Sequence, residues 1–219
     1  MSPEKTLQEM ALSEELLRES EGLTEEARDL ADVGRLDEAL ECFNQAIALN
    51  PANGRAYRER GHLYLALGRP EQALADLTRA VELDPQNARA LLYLGLYWLD
   101  AGEPERAISY LERSIEGLGD GRAFLGRALA YAQLGDLEKA IDDVTSALAL
   151  DGDDPCLYCT RARLYLRCHQ PLLATADLLK AVENRDIGPA ECFDGYPAPW
   201  CEGPRWWIIH HCPDMFPRY

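Results

Sequence analysis

Residues 54–87 read GRAYRERGHLYLALGRPEQALADLTRAVELDPQN, and this stretch decides the fold. Tyr57, Gly61, Tyr64 and Leu65 recur every three to four residues, the spacing of one buried helix face. Gly68 ends that helix, because glycine takes the left-handed cap conformation at little cost. Pro70 opens a second helix at a position where its missing N–H loses nothing. Ala73, Leu74, Leu77, Ala80 and Val81 form the second apolar stripe. Asp84-Pro85 closes the unit, since proline cannot continue a helix and restrains the residue before it.

The same grammar runs outward in both directions. Gly recurs at Gly34, Gly68, Gly102 and Gly135, and Ala at Ala39, Ala73, Ala107, Ala140 and Ala174. The units fall at 20–53, 54–87, 88–120, 121–154 and 155–186. A period of this length marks stacked helical hairpins, whose usual product is a long binding surface rather than a catalytic pocket. Ala27, Gly61, Gly95, Ala128 and Ala162 stand where two helices must approach closely, and a larger side chain there would overpack the seam. Heptads, the mark of a coiled coil, do not recur, whereas the turn punctuation does.

These five units resemble tetratricopeptide repeats. Residues 88–104, ARALLYLGLYWLDAGEP, carry the Leu94-Gly95 step of that pattern, and residues 39–51 carry Ala39, Phe43, Ala46 and Pro51. The resemblance implies an all-α fold: a right-handed α-solenoid of five helix pairs. There are local departures. Gly119 and Gly152 stand in place of the closing proline in the third and fourth units, and His169 replaces the turn glycine in the fifth. Glu26 occupies a usually apolar place in the first unit, so its opening helix is expected to pack loosely or to join the helix before it.

Two segments flank the repeats. Residues 1–19 read as a lead-in helix with an apolar stripe of Leu7, Met10, Leu16 and Leu17. Residues 187–219 lose the periodicity and are rich in Trp, Pro and Cys, too apolar for a solvated tail. The last repeat helix, 171–182 (PLLATADLLKAV), is apolar nearly all round, and a terminal repeat must be covered to stay soluble. Trp200, Trp206, Trp207 and Ile208 are expected to cap it. The alternatives are that the tail fills the groove of its own chain, or docks in a second copy to make a homodimer.

Composition narrows the function classes. A hydrophobic fraction of 47% is enough to bury a core. The net charge of −16 argues against sequence-independent hold on nucleic acid and against adsorption to an anionic membrane. The N-terminus MSPEKTLQEMALSEELL lacks the basic start and apolar run of a secretory signal, and no apolar stretch approaches the ~20 residues that span a bilayer. A cytoplasmic protein is the expectation. The seven cysteines, an odd number, fit reduced and mostly buried thiols.

In tetratricopeptide proteins the first helices of the pairs line a concave groove, and the resemblance therefore says which faces to read. Near the start of successive first helices stand Arg55, Arg89 and Arg122, after Glu21 and before Cys156. One turn further come Arg58, Leu92 and Leu125; another turn on lie His62, Leu96 and Leu129, with Tyr93 between. Arginine offers a planar, always charged fork suited to carboxylates and phosphates. A ladder of three favours an extended acidic peptide, with Leu and Tyr anchoring its side chains. The plain alternative is that these arginines pair with neighbouring acids on a solvated surface. The carboxylate clamp by which some family members hold chaperone termini is not matched, because Glu59 stands where it would repel a carboxylate and the clamp asparagines are missing.

Enzyme signatures are absent: there is no P-loop, dinucleotide fingerprint, H-E-x-x-H or G-x-S-x-G. The expected function is a noncatalytic scaffold or adaptor holding a peptide segment of another protein, with no cofactor and no metal. One rival is a metal- or redox-responsive module using Cys192, Cys201, Cys212, His210 and His211, although their spacing is poor for zinc. Another is a self-assembling structural protein joined through the tail. Cys156 and Cys159 form a C-x-x-C, but inside a helix rather than after a strand, which favours packing over redox work.

Overall fold

The computed structural model describes residues 3–152 and 154–183. Those residues form ten helices: α1 (Pro3–Asp32), α2 (Leu36–Leu49), α3 (Gly54–Ala66), α4 (Pro70–Leu83), α5 (Ala88–Asp100), α6 (Pro104–Leu118), α7 (Gly121–Leu134), α8 (Leu137–Asp151), α9 (Pro155–Arg167) and α10 (Pro171–Glu183). No strand occurs among them. The fold is all-α and built of helix hairpins. The chain divides into two compact units, Met1–Leu94 and Gly95–Tyr219, with the division inside α5.

One turn joins the two helices of every pair. Arg35, Arg69, Glu103, Asp136 and Gln170 each donate a backbone N–H to the carbonyl five residues back, at Leu30, Tyr64, Trp98, Tyr131 and Tyr165. The residue before each donor is left-handed: Gly34, Gly68, Gly102, Gly135 and, in the last pair, His169 at φ 56. This is the glycine-ended helix cap that satisfies otherwise orphaned carbonyls. His169 adopts it as glycine does, so the fifth turn is built like the other four despite its residue.

Of the two expectations for the opening of the first unit, joining the preceding helix is the one the structure takes. The lead-in segment and the first helix of the first repeat are one helix, α1, unbroken from Pro3 to Asp32. Residues 17–22 contain no proline, and Ser20 at the join is fully buried. Leu17, expected on an apolar stripe, is 44% exposed.

In the first unit α1 packs on α2 around Ala27, Ala39, Phe43 and Ala46, joined by Ala56 and Leu63 of α3, and α3 packs on α4. Gly61 permits the α3–α4 approach: a Cβ there would lie 2.8 Å from Leu77 Cγ. In the second unit α7 packs on α8 around Leu125, Ala128, Val144, Ala147, Leu157 and Leu164, and α9 packs on α10 around Ala162, Ala174 and Leu178. There Gly95 faces Leu111 of α6, and a Cβ would meet its Cγ at 2.5 Å.

Three hairpins carry the same buried ion pair. The Arg60 guanidinium donates Nε and Nη2 to Asp76 at 2.7 and 2.8 Å, Arg127 does so to Asp143 at 2.8 and 2.7 Å, and Arg161 to Asp177 at 2.8 Å for both bonds. Arg60 also donates to Asn44, and Arg161 to Thr145, each on the second helix of the preceding pair. One guanidinium thus ties three helices within its unit.

Candidate functional site

Each first helix of a pair that carries the candidate site begins at a side-chain cap. Asn53 Oδ1 accepts from Ala56 N at 2.9 Å, Asn87 Oδ1 from Ala90 N at 3.1 Å, Asp120 from Arg122 N at 2.8 Å and Asp154 from Cys156 N at 2.7 Å. Such caps satisfy the free N–H groups of a first turn. Two residues after each cap stands the position read as the groove ladder: Arg55, Arg89, Arg122 and Cys156.

Asn53 does more than cap. Its amide nitrogen donates to Ser20 Oγ at 2.9 Å and to Thr24 Oγ1 at 3.1 Å, while Ser20 Oγ donates to the Ala46 carbonyl at 2.7 Å. All three side chains are buried. This network pins the start of α3 to α1 and so sets where Arg55 and Arg58 sit.

In the first unit α3 presents Arg55, Arg58 and His62, and α5 presents Arg89, Leu92 and Tyr93. The His62 and Tyr93 rings stack with centroids 4.3 Å apart and planes 10° from parallel. Arg58 forms an ion pair with Glu59, with only 12% of its side chain exposed, and its buried Nε has no acceptor. Arg55 pairs with Glu25 of α1 at 3.3 Å in an exposed contact, and Arg89 is exposed. Leu92 is 1% exposed and Tyr93 7%.

In the second unit Arg122 folds back on its own cap, its Nη2 donating to Asp120 at 3.0 Å. Leu125 is buried, and Leu96 and Leu129 are half-buried. Arg163 lies one turn beyond Cys159 on α9; burial, and then the nearby Arg167, lower its pKa from the usual guanidinium range.

Sequence reasoning missed the buried ion pairs. Asp76, Asp143 and Asp177 were legible only as solvated surface acids, though each stands sixteen residues after an arginine. Cys42, Cys159 and Cys168 are free. Cys159 is pushed up to about 12, chiefly by burial and then by Asp154, and is no redox nucleophile. The readings placed on the tail, including capping by Trp200, Trp206, Trp207 and Ile208 and metal ligation by Cys192, Cys201, Cys212, His210 and His211, lie outside the described residues.

One tetratricopeptide repeat model matches residues 58–121 and 116–155, and a TPR repeat model matches 27–68. Together they span more than half of the chain. Among curated proteins none matches it in sequence. Solved structures do match in fold. A thermophilic TPR protein from Thermus thermophilus is 27% identical, with TM-score 0.63 over 77% of this chain and 92% of that one. A MamA fragment from Desulfovibrio magneticus is 20% identical, with TM-score 0.67 over 75% and 94%. YrrB, a TPR protein with an unusual peptide-binding site, is 21% identical, with TM-score 0.60 over 75% and 86%. Among the described residues no helix is long and apolar enough to cross a membrane.

Proposed function

The chain belongs to the tetratricopeptide repeat family, and from that premise we propose that it is a noncatalytic scaffold that holds an extended acidic peptide segment of another protein. The observation that carries this reading is the cluster on α3 and α5: a stacked His62–Tyr93 pair on the faces that also bear Arg55, Arg58 and Arg89. Tyr93 is buried and backs His62, so the half-buried His62 ring is the part of the pair that a peptide could meet. The Arg58 guanidinium is held by Glu59, so an incoming carboxylate would have to compete with that pair. Leu92 beneath them is packed in the core and supports the platform rather than lining it. The peptide-binding site of YrrB, a protein of the same fold, is consistent with such a use.

Arg122, Leu129 and Leu96 are the corresponding residues of the second unit, while Leu125 is packed in its core. There Arg122 is engaged by Asp120, so binding there requires a stronger acceptor to displace that carboxylate. The preformed caps and core mean that little ordering is needed on binding.

The test is selection of random twelve-residue peptides by the intact protein, followed by titration of the selected peptides. Acid-rich sequences with interspersed apolar residues are expected. The pair Arg55→Glu and Arg89→Glu is expected to weaken them at least tenfold, with helix content unchanged. Enrichment of peptides without acids, or equal affinity for the substituted protein, overturns the reading.

A further inference from the structure

α10, the last helix among the described residues, breaks a rule that the four other second helices keep. Taking the alanines that share one register, Ala39, Ala73, Ala107, Ala140 and Ala174, as a common mark, the residue two places before is Asp37, Glu71, Glu105 and Glu138, and then Leu172. Five places after, it is Asn44, Thr78, Glu112 and Thr145, and then Leu179. The residue just before is Glu38, Gln72, Arg106 and Lys139, and then Leu173. All twelve polar side chains of the earlier helices are exposed, as a solvent-facing surface requires. Their replacements in α10 are exposed as well, Leu172 by 85%, Leu173 by 49% and Leu179 by 59%. Leu172, Ala176 and Leu179 recur at helical spacing and make one stripe. An outward stripe turned from polar to leucine only on the terminal helix is the mark of a covered face.

We propose that this face of α10 is the dock for the chain's own segment 184–219, which closes the end of the repeat array through Trp200, Trp206, Trp207 and Ile208. The occupant follows from where the chain goes. The segment starts directly after Glu183, the end of α10, and holds three of the four tryptophans in the protein. Leu172 lies eleven helical residues back from Glu183, roughly 16 Å at 1.5 Å per residue. The seventeen residues from Glu183 to Trp200 span at most about 56 Å when extended, so the reach is easy and leaves slack for the prolines. A tethered segment also acts at high effective concentration, an advantage over a second copy of the chain.

The decisive experiment places a photo-crosslinking benzoylphenylalanine at Leu172 in the full-length protein, a side chain exposed enough to tolerate it. Irradiation is expected to yield a link to peptides within 184–219, on a species of monomer mass, with a yield independent of protein concentration. A doubled mass with concentration-dependent yield assigns the face to a second copy and overturns the proposal, as does failure to link to the segment. A second pair of variants guards against loss of folding. Leu172→Glu with Leu179→Thr restores the residues that α8 carries at this register, and in full-length protein it should shift tryptophan emission to the red at unchanged helix content. Replacing Trp200, Trp206 and Trp207 with serine should raise binding of an apolar dye at least fivefold. No spectral shift in the first variant and no dye binding in the second would also overturn it.

Discussion

Arg127 and Asp143 meet by two parallel hydrogen bonds, 2.8 and 2.7 Å long, between α7 and α8, with 19% and 9% of their side chains exposed. The geometry recurs at Arg60–Asp76 and Arg161–Asp177, yet the third repeat has Leu94 and Tyr110 at the same register. A pair this buried gains little net stability over an apolar pair, but breaking it strands a charge. Asp143→Ala should therefore cost about 3 kcal/mol. Arg127→Leu combined with Asp143→Tyr, which copies the third repeat, should recover most of that loss. Denaturant titration of the two variants checks it, and a double variant no better than the single one would refute the reasoning.

Two glycines in helices should respond in opposite ways to alanine. Gly95 faces the fully buried Leu111, and a Cβ would lie 2.5 Å from its Cγ and 2.7 Å from Cδ2. Overpacking of this kind costs roughly 1–3 kcal/mol, more than the ~1 kcal/mol that alanine gains in helix propensity. Gly22 of α1 has nothing within 4 Å of that position, so Gly22→Ala should gain up to about 1 kcal/mol. Thermal melts should show Gly95→Ala lowered and Gly22→Ala raised.

The contrast between these sites shows what could be read in advance. Gly34, Gly68, Gly102 and Gly135 announce the turns because no other residue is as free to be left-handed. His169 shows that, once four turns fix the register, the fifth forms without glycine. Burial of Leu92 and Leu125 was not legible, since periodicity names the face of a helix and not the depth of its neighbours. The ion pairs were missed for a related reason: a charged residue in a helix reads as solvated unless its partner is sought across the hairpin, sixteen residues on.

Asn53 should be harder to replace than the other caps. Asn53→Asp keeps an acceptor for Ala56 N but removes the donor to Ser20 and Thr24, and sets a buried carboxylate against the Ser20 carbonyl. Asn53→Ala loses the cap and the network together, for about 2 kcal/mol or more. Both variants should melt lower, and amide exchange in the first turn of α3 should rise. Unchanged exchange there would mean the network does not hold α3 to α1.

Asp154 should behave in the opposite sense to most caps as pH changes. Burial raises its pKa above the usual 3.8, although its carboxylate accepts from Cys156 N. A carboxyl whose pKa is raised by folding favours the folded state below its unfolded pKa and loses that contribution as pH rises through the folded one. Asp154→Asn keeps the acceptor and removes the ionisation. The variant should match or exceed the parent protein in stability at pH 7, and its advantage should fade as pH falls toward 3. A variant clearly less stable at pH 7 would show that the charge at the start of α9 outweighs its burial.

Cys159 should be the slowest of the free thiols to alkylate. Burial first, then Asp154, pushes its pKa up to about 12. At pH 8 its thiolate is then about one part in ten thousand, against about one in ten at the ordinary value of 9.0. Cys168 is free and half-buried at the end of α9. Iodoacetamide at pH 8 should label Cys168 at least tenfold faster than Cys159 in the native protein, with the difference vanishing in denaturant. The raised pKa also means that stability from this group is full below pH 9 and declines as pH climbs toward 12, because the unfolded thiol ionises first. Equal labelling rates in the native protein would place Cys159 at the surface and remove both expectations.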